Sequence, residues 1–233
     1  MSQISILYRL QQIDTQLDSA RSTLQSIETR LSDNTLIHSA QEKVAELEHN
    51  HLVEQKRLRD AENKSNDTRI KIEQSEASLY GGKIQNTKEL QDLQNEIASL
   101  KRLVSTLEDR QLEAMMAVEE SESNLSLANS ALKEILGKQS EQNASLEGER
   151  TKILSQIERL EAERNATLPP IPAPDLSLYE QLRKARNGVA VVKISSRGCT
   201  ACGATLTAAM VQTIQSTGQL IRCPTCGRIL YPG

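Results

Sequence analysis

Apolar residues recur every seven positions from Leu90 to Leu160. One series runs Leu90, Ile97, Val104, Gln111, Val118, Leu125, Leu132, Gln139, Leu146, Ile153 and Leu160. A second, three residues on, runs Leu93, Leu100, Leu107, Ala114, Ser121, Ala128 and Ile135 before it turns polar at Gln142. Glu, Lys, Gln and Ser fill the positions between. A stripe of two residues in seven is the seam of a coiled coil, and its 3.5-residue period implies a left-handed supercoil. Gln111, Gln139 and Gln142 interrupt the stripe; such residues either set register or line a wet, loosely packed seam.

The first third of the chain carries the same repeat less regularly. Leu10, Leu17, Leu24 and Leu31 alternate with Ile6, Ile13, Ala20 and Ile27, and after "SDNT" the stripe resumes one residue out of phase at Ile37, Ala40, Val44 and Leu47. A phase break at short polar side chains predicts an interrupted or kinked helix. Between the two heptad regions lies "SLYGGKIQNTKEL", where Gly81 and Gly82 offer the positive φ that ends a helix. Asn86, with Glu89 three residues on, has the spacing of a capping box. The pattern therefore predicts a long antiparallel hairpin over residues 1–166 with its turn near 80–87, in preference to a parallel dimer of long helices. Each arm is about 75 residues, or about 110 Å at the helical rise. A turn at this place pairs residues whose numbers add to about 168, which sets the break after Leu31 level with Gly137.

Composition narrows the core. The chain of 233 residues has no Trp, no Phe and four Tyr, and 25% of it is charged, so most of it buries only a narrow stripe. The net charge of -3 is unevenly spread. From Tyr179 to the C-terminus seven Lys or Arg stand against one acid, Glu180, a balance of +6. No apolar run has the length of a membrane span, and the N-terminus lacks a signal-like apolar core. These features predict a soluble cytoplasmic protein without membrane contact, in a compartment that disfavours disulfides.

"NATLPPIPAPD" ends the second arm, because four prolines within six residues favour an extended connector, here residues 167–176. Residues 177–233 then read as a small β-rich domain: a short helix in "LSLYEQLRKARNG", a strand in "VAVVKI", and two more in "QLIRC" and "RILY". All four cysteines fall here in the pattern C-x2-C-x20-C-x2-C, as Cys199, Cys202, Cys223 and Cys226. Each tight Cys-x-x-Cys turn supplies two sulfurs on one edge of a tetrahedron, which is what zinc requires. Gly203 and Gly227 let the backbone turn away after each pair. So small a module depends on its metal for part of its folding free energy. The expectation is one structural Zn2+ with no open coordination position, and hence no metal catalysis.

"LYGGKIQNTKEL", the helix after it, and the "CTAC" and "RCPTCGRILY" segments together resemble a bacterial family of coiled-coil hairpin proteins with a C-terminal C4-type zinc ribbon. The resemblance covers essentially the whole chain. It implies an elongated hairpin carrying a ribbon, nucleic-acid binding, and in some members partnership with transcription or secretion components such as an alternative sigma factor.

Three functions compete on the residues themselves. A long two-helix hairpin has little concave surface for chemistry, which favours a non-enzymatic adaptor with a protein partner and no small-molecule substrate. A docking patch at the turn would comprise Tyr80, Lys83, Ile84 and Lys88, unless Tyr80 and Ile84 instead cap the end of the seam. The basic ribbon suggests contact with RNA or DNA through Lys193, Arg197, Arg222 and Arg228. The thiolates of a bound zinc site reduce the +6 to about +4, and with few aromatics this predicts weak, salt-sensitive, sequence-independent binding. A thiol-redox role would need exposed reactive thiols, and zinc ligands are committed elsewhere. "YGGKI" lacks the first glycine and the Ser or Thr of a phosphate loop. His38, His49 and His51 read as solvated surface, and Met115 and Met116 as seam filler and flank.

Overall fold

The computed structural model describes residues 2–82, 86–195, 197–216 and 220–233. Its elements are α1 (Gln3–Ser32), α2 (Thr35–Tyr80), α3 (Thr87–Thr167), α4 (Ala173–Ala185), β1 (Val191–Ser195), β2 (Gly198–Cys199), α5 (Ala208–Ser216) and β3 (Ile229–Tyr231). The protein is thus mainly helical, a long hairpin followed by a small sheet. Lys83 and Ile84 lie outside the described residues.

The helix breaks follow local chemistry. The Ser2 hydroxyl accepts from the Ser5 N–H at the start of α1. At "SDNT" the first arm stops outright, with extended backbone at Asp33 and a new helix from Thr35. Of the two turn glycines only Gly82 takes a positive φ, +69°; Gly81 stays right-handed at −74°. A Cβ on Gly81 would meet the Ala77 carbonyl oxygen at 2.8 Å, so that position needs glycine for space. Asn86 caps α3 by accepting from the Lys88 N–H at 3.0 Å, while Glu89 approaches the Asn86 side-chain amide. α3 runs without interruption through Gly137 and Gly148.

The chain divides into two compact units, residues 34–141 and residues 1–33 with 142–233. In the first, α2 and α3 run antiparallel, with Arg69 paired to Glu108 and Glu76 to Lys101. Ile72, Ile97 and Leu107 are buried there, together with the small polar residues Ser65 and Thr68. His51 meets Ser121 at 2.8 Å, one helical turn beyond Ala117, which the expected register sets opposite it. The cause is side-chain direction: Cβ atoms tilt toward each helix's N-terminus, so on antiparallel helices the tips meet partners farther from the turn.

In the second unit α1 pairs with the end of α3, where Ile13, Leu17 and Leu160 form a buried seam. The sheet has the order β2-β1-β3, with β1 parallel to β3 and antiparallel to β2. Register sets Val191 beside Ile229 and Val192 beside Leu230, so alternate residues serve opposite faces. Val191 and Ile229 join Leu7 and Leu10 of α1, Ile171, and Tyr179 and Leu182 of α4. Val192 and Leu230 join Leu206, Ile214 and three of the cysteines. Of the predicted "QLIRC" strand Gln219 lies outside the described residues, and the rest reduces to a single bridge, Arg222 to Ile229, because the backbone turns at once into the second cysteine pair. α4 starts three residues earlier than expected, since Pro174 falls in its first turn, where no N–H is needed. The connector also packs: Ile171 is buried, and its N–H donates to the Leu168 carbonyl.

Candidate metal centre and the surfaces around it

The two cysteine pairs sit in matching turns. The Cys199 N–H donates to the Ala204 carbonyl at 3.0 Å and the Gly203 N–H to the Cys199 carbonyl at 2.8 Å. In the second turn the Cys223 N–H donates to the Arg228 carbonyl at 2.8 Å and the Gly227 N–H to the Cys223 carbonyl at 2.9 Å. Gly203 and Gly227 have φ of +72° and +74°, the left-handed conformation that side chains resist.

β1 and β3 bring the turns together so that the four Sγ atoms lie within 4.8 Å of one another. Cys199 Sγ is 3.8 Å from Cys226 Sγ, and Cys202 Sγ is 3.7 Å from Cys223 Sγ. A tetrahedron with Zn–S bonds of about 2.3 Å has edges of about 3.8 Å, so the sulfurs already stand at ligand spacing. They are far beyond the length of an S–S bond, about 2.05 Å, and all four are free thiols. The set fits one structural Zn2+, which would hold the two turns together and have no position left for a substrate.

The protein's dipoles are arranged for thiolates. Burial penalises the Cys226 anion, but the Arg228 backbone N–H, its side chain and the adjacent thiols outweigh that and lower the group to about 6. At Cys202 the Ala204 backbone favours the anion, yet desolvation and the three neighbouring cysteines push it to about 12. Four crowded sulfurs cannot all ionise without a cation among them.

A second cluster joins the ribbon to the helices, and the sequence reading missed it. Gln11 of α1 is buried; its Oε1 accepts from the N–H groups of Ala190 at 2.6 Å and Val191 at 3.2 Å, and its Nε2 donates to the Gly188 carbonyl at 2.7 Å. Asp14, one turn on and 1% exposed, accepts from Arg164 Nε of α3 and from the Tyr179 hydroxyl of α4, each at 2.7 Å. Arg183 reaches both Asp14 and Asp18. Burial, then the bond to the Asp14 carboxylate, drives the Tyr179 phenol far above its ordinary range. Gln11 and Asp14 stand beside the stripe positions Leu10 and Ile13, where polar residues are ordinary, so these contacts leave no trace in the sequence.

The remaining candidates are scattered. Tyr80 is 82% exposed, so it does not cap the seam, and Lys88 is exposed as well. Lys193 stands 5.3 Å over the Tyr8 ring, which is itself stacked on Tyr231 with centroids 4.3 Å apart. Arg222 donates to the Gly227 carbonyl at 3.0 Å, and Arg228 to the carbonyls of Val189 and Arg186. Arg197 is exposed on a turn with φ +64°. His51 is not solvated surface: it is half-buried and held between Ser121 and Gln55. Met115 and Met116 are exposed and do not fill the seam.

Among the described residues no helix is long and apolar enough to cross a membrane. The family model of the CT398-like coiled coil hairpin domain matches residues 10–187, and that of the C4-type zinc ribbon domain matches residues 199–230. Among solved structures the chain is similar to CT398 from Chlamydia trachomatis, at 20% identity and a TM-score of 0.81 over 99% of this chain and 98% of that one. It is similar to a Mycobacterium smegmatis protein at 21% identity and a TM-score of 0.81, with both chains covered in full. The HP0958 protein of Helicobacter pylori follows at 19% identity and a TM-score of 0.54, with 99% and 97% covered. At these identities the likeness shows the fold. No curated protein matches the chain.

Proposed function

The chain belongs to the CT398-like coiled-coil hairpin family and carries a C4-type zinc ribbon, and from that premise we propose that it is a non-enzymatic cytoplasmic adaptor. Its partner in this reading is a protein or RNA of the transcription or secretion apparatus. The supporting observation is the use made of the metal and of the ribbon's cations. Four thiolates close the zinc site, and Gln11 and Asp14 tie the ribbon's sheet and α4 to the helices. Such a head presents surfaces and shelters no reaction.

Weak nucleic-acid binding is the secondary reading, and the structure bears on it unevenly. Arg228, half-buried, and Arg222, itself exposed, donate to backbone carbonyls, whereas Lys193 and Arg197 are exposed on the ribbon surface. Arg228→Ala is therefore expected to lower ribbon stability by about 1–3 kcal/mol through unsatisfied carbonyls, while Lys193→Ala with Arg197→Ala weakens RNA binding alone. Filter binding at several salt concentrations, run beside chemical denaturation, checks the division. For the adaptor reading, a crosslinked pull-down from the native cell with and without nuclease is the test. A partner set that survives nuclease is the expected result, and one that vanishes with it would make nucleic acid the ligand.

A further inference from the structure

We propose that the outward face of α3 between Asp109 and Leu127 is a docking surface for a basic amphipathic helix of a partner protein. The inference rests on the adaptor reading and names the class of partner. On this stretch the seam is served by Leu107, Ala114, Val118 and Leu125, all buried or half-buried. Three further large apolar side chains, Leu112, Met116 and Leu127, point away from it, 59%, 70% and 67% exposed. The seam itself holds Gln111 and Ser121 where the repeat calls for apolar residues. Hydrophobic mass is thus withheld from the hairpin interior and set on its outer face, where it adds nothing to the fold.

Charge identifies what covers it. In the seven-residue repeat the outward positions from 109 to 127 are Asp109, Leu112, Glu113, Met116, Glu119, Glu120, Ser123, Ser126 and Leu127, all exposed. Three apolar anchors alternate with four carboxylates, and no cation stands among them. Among the described residues none of the four carboxylates makes an ion pair or a side-chain hydrogen bond. A second copy laid face to face would set carboxylate against carboxylate. A helix with apolar residues three or four apart and Lys or Arg at its flanks satisfies both features. The face spans about 27 Å of helix axis, room for a partner helix of about five turns. Met116, exposed and flexible, suits such a contact.

The test uses the full chain in its native cell, with a photo-crosslinking amino acid in place of Met116 and, separately, in place of the exposed Gln212 of α5. Sequencing the peptide crosslinked at Met116 is expected to return a basic amphipathic segment of another protein. A synthetic peptide of that segment should then bind L112S/M116S and E119K/E120K at least tenfold more weakly than the unaltered protein. The docking surface is overturned if Met116 crosslinks to a second copy of this chain, to nucleic acid, to an acidic or non-helical segment, or to nothing. It is equally overturned if both variants bind the peptide at full affinity. If Met116 captures nothing while Gln212 captures a protein, the surface fails and the adaptor reading stands; capture at neither position sinks both.

Discussion

Asp14 shows how one residue can decide what a helix does. Were it apolar, α1 would keep its contacts with the sheet through Leu7, Leu10 and Gln11 but lose its polar tie to α3 and α4. As a buried carboxylate it needs partners, and it finds Arg164 and the Tyr179 hydroxyl on two other helices. The phenol responds in turn. Its folded-state pKa is raised above the unfolded value, so the folded state keeps the proton longer. Its stabilising contribution is complete below about pH 10 and is lost as pH rises beyond the unfolded pKa. Tyr179→Phe should flatten that alkaline decline while lowering stability at pH 7 by about 1–3 kcal/mol for the stranded acceptor. Urea midpoints of both proteins between pH 8 and pH 11 measure the difference; parallel curves would mean that Tyr179 titrates as an ordinary surface tyrosine.

At the scale of elements, α1 has two jobs along one face. Ile13 and Leu17 close on Leu160, while Leu7 and Leu10, about two turns and one turn earlier, close on β1, β3 and α4. The heptad register serves both, because a stripe that suits a helical partner also suits the apolar side of a small sheet. Leu10→Ala is expected to cost about 2–5 kcal/mol and to speed zinc release to a chelator, since the sheet aligns the two cysteine turns. A colorimetric chelator assay reads this directly. Release at the unaltered rate would mean that the knuckles hold their geometry without α1. The turn between α2 and α3 depends on a narrower requirement: among its described residues Gly82 alone has positive φ, and Gly82→Ala should destabilise by about 1 kcal/mol, visible as a lower thermal midpoint.

For the whole molecule, zinc and helices are coupled, which changes the expectation for metal loss. A proline-rich connector by itself would let a ribbon fold apart from the hairpin, yet α1, Ile171 and α4 share a core with the sheet. Cys223→Ser should abolish zinc, unfold the ribbon, and release the first turns of α1 and much of α4 with it. Residues 34–141 form a compact unit of their own and keep their helix. Circular dichroism should therefore retain most of its helical signal, with metal absent by elemental analysis. Near-complete loss of helix would mean that the hairpin depends on the ribbon throughout.

The sequence by itself determined whatever depends on neighbours close along the chain. The heptads of Leu90 to Leu160, the break at "SDNT", the glycine-bearing turn, the Asn86 cap and the two Cys-x-x-Cys-Gly knuckles all act within a few residues, so their periodicity and spacing are legible directly. Zinc also follows, because four soft ligands in two tight turns suffice to specify it. Only the tertiary structure decided which residues of distant segments meet. Gln11 with the β1 backbone, Asp14 with Arg164 and Tyr179, and Tyr8 with Tyr231 join positions more than 140 residues apart. Nothing in the local pattern separates a polar residue buried against distant partners from one on the solvated flank of the seam. The same holds for charge: Arg222 and Arg228 count as cations in the sequence, and only packing commits a donor of each to the backbone carbonyls of Gly227, Val189 and Arg186.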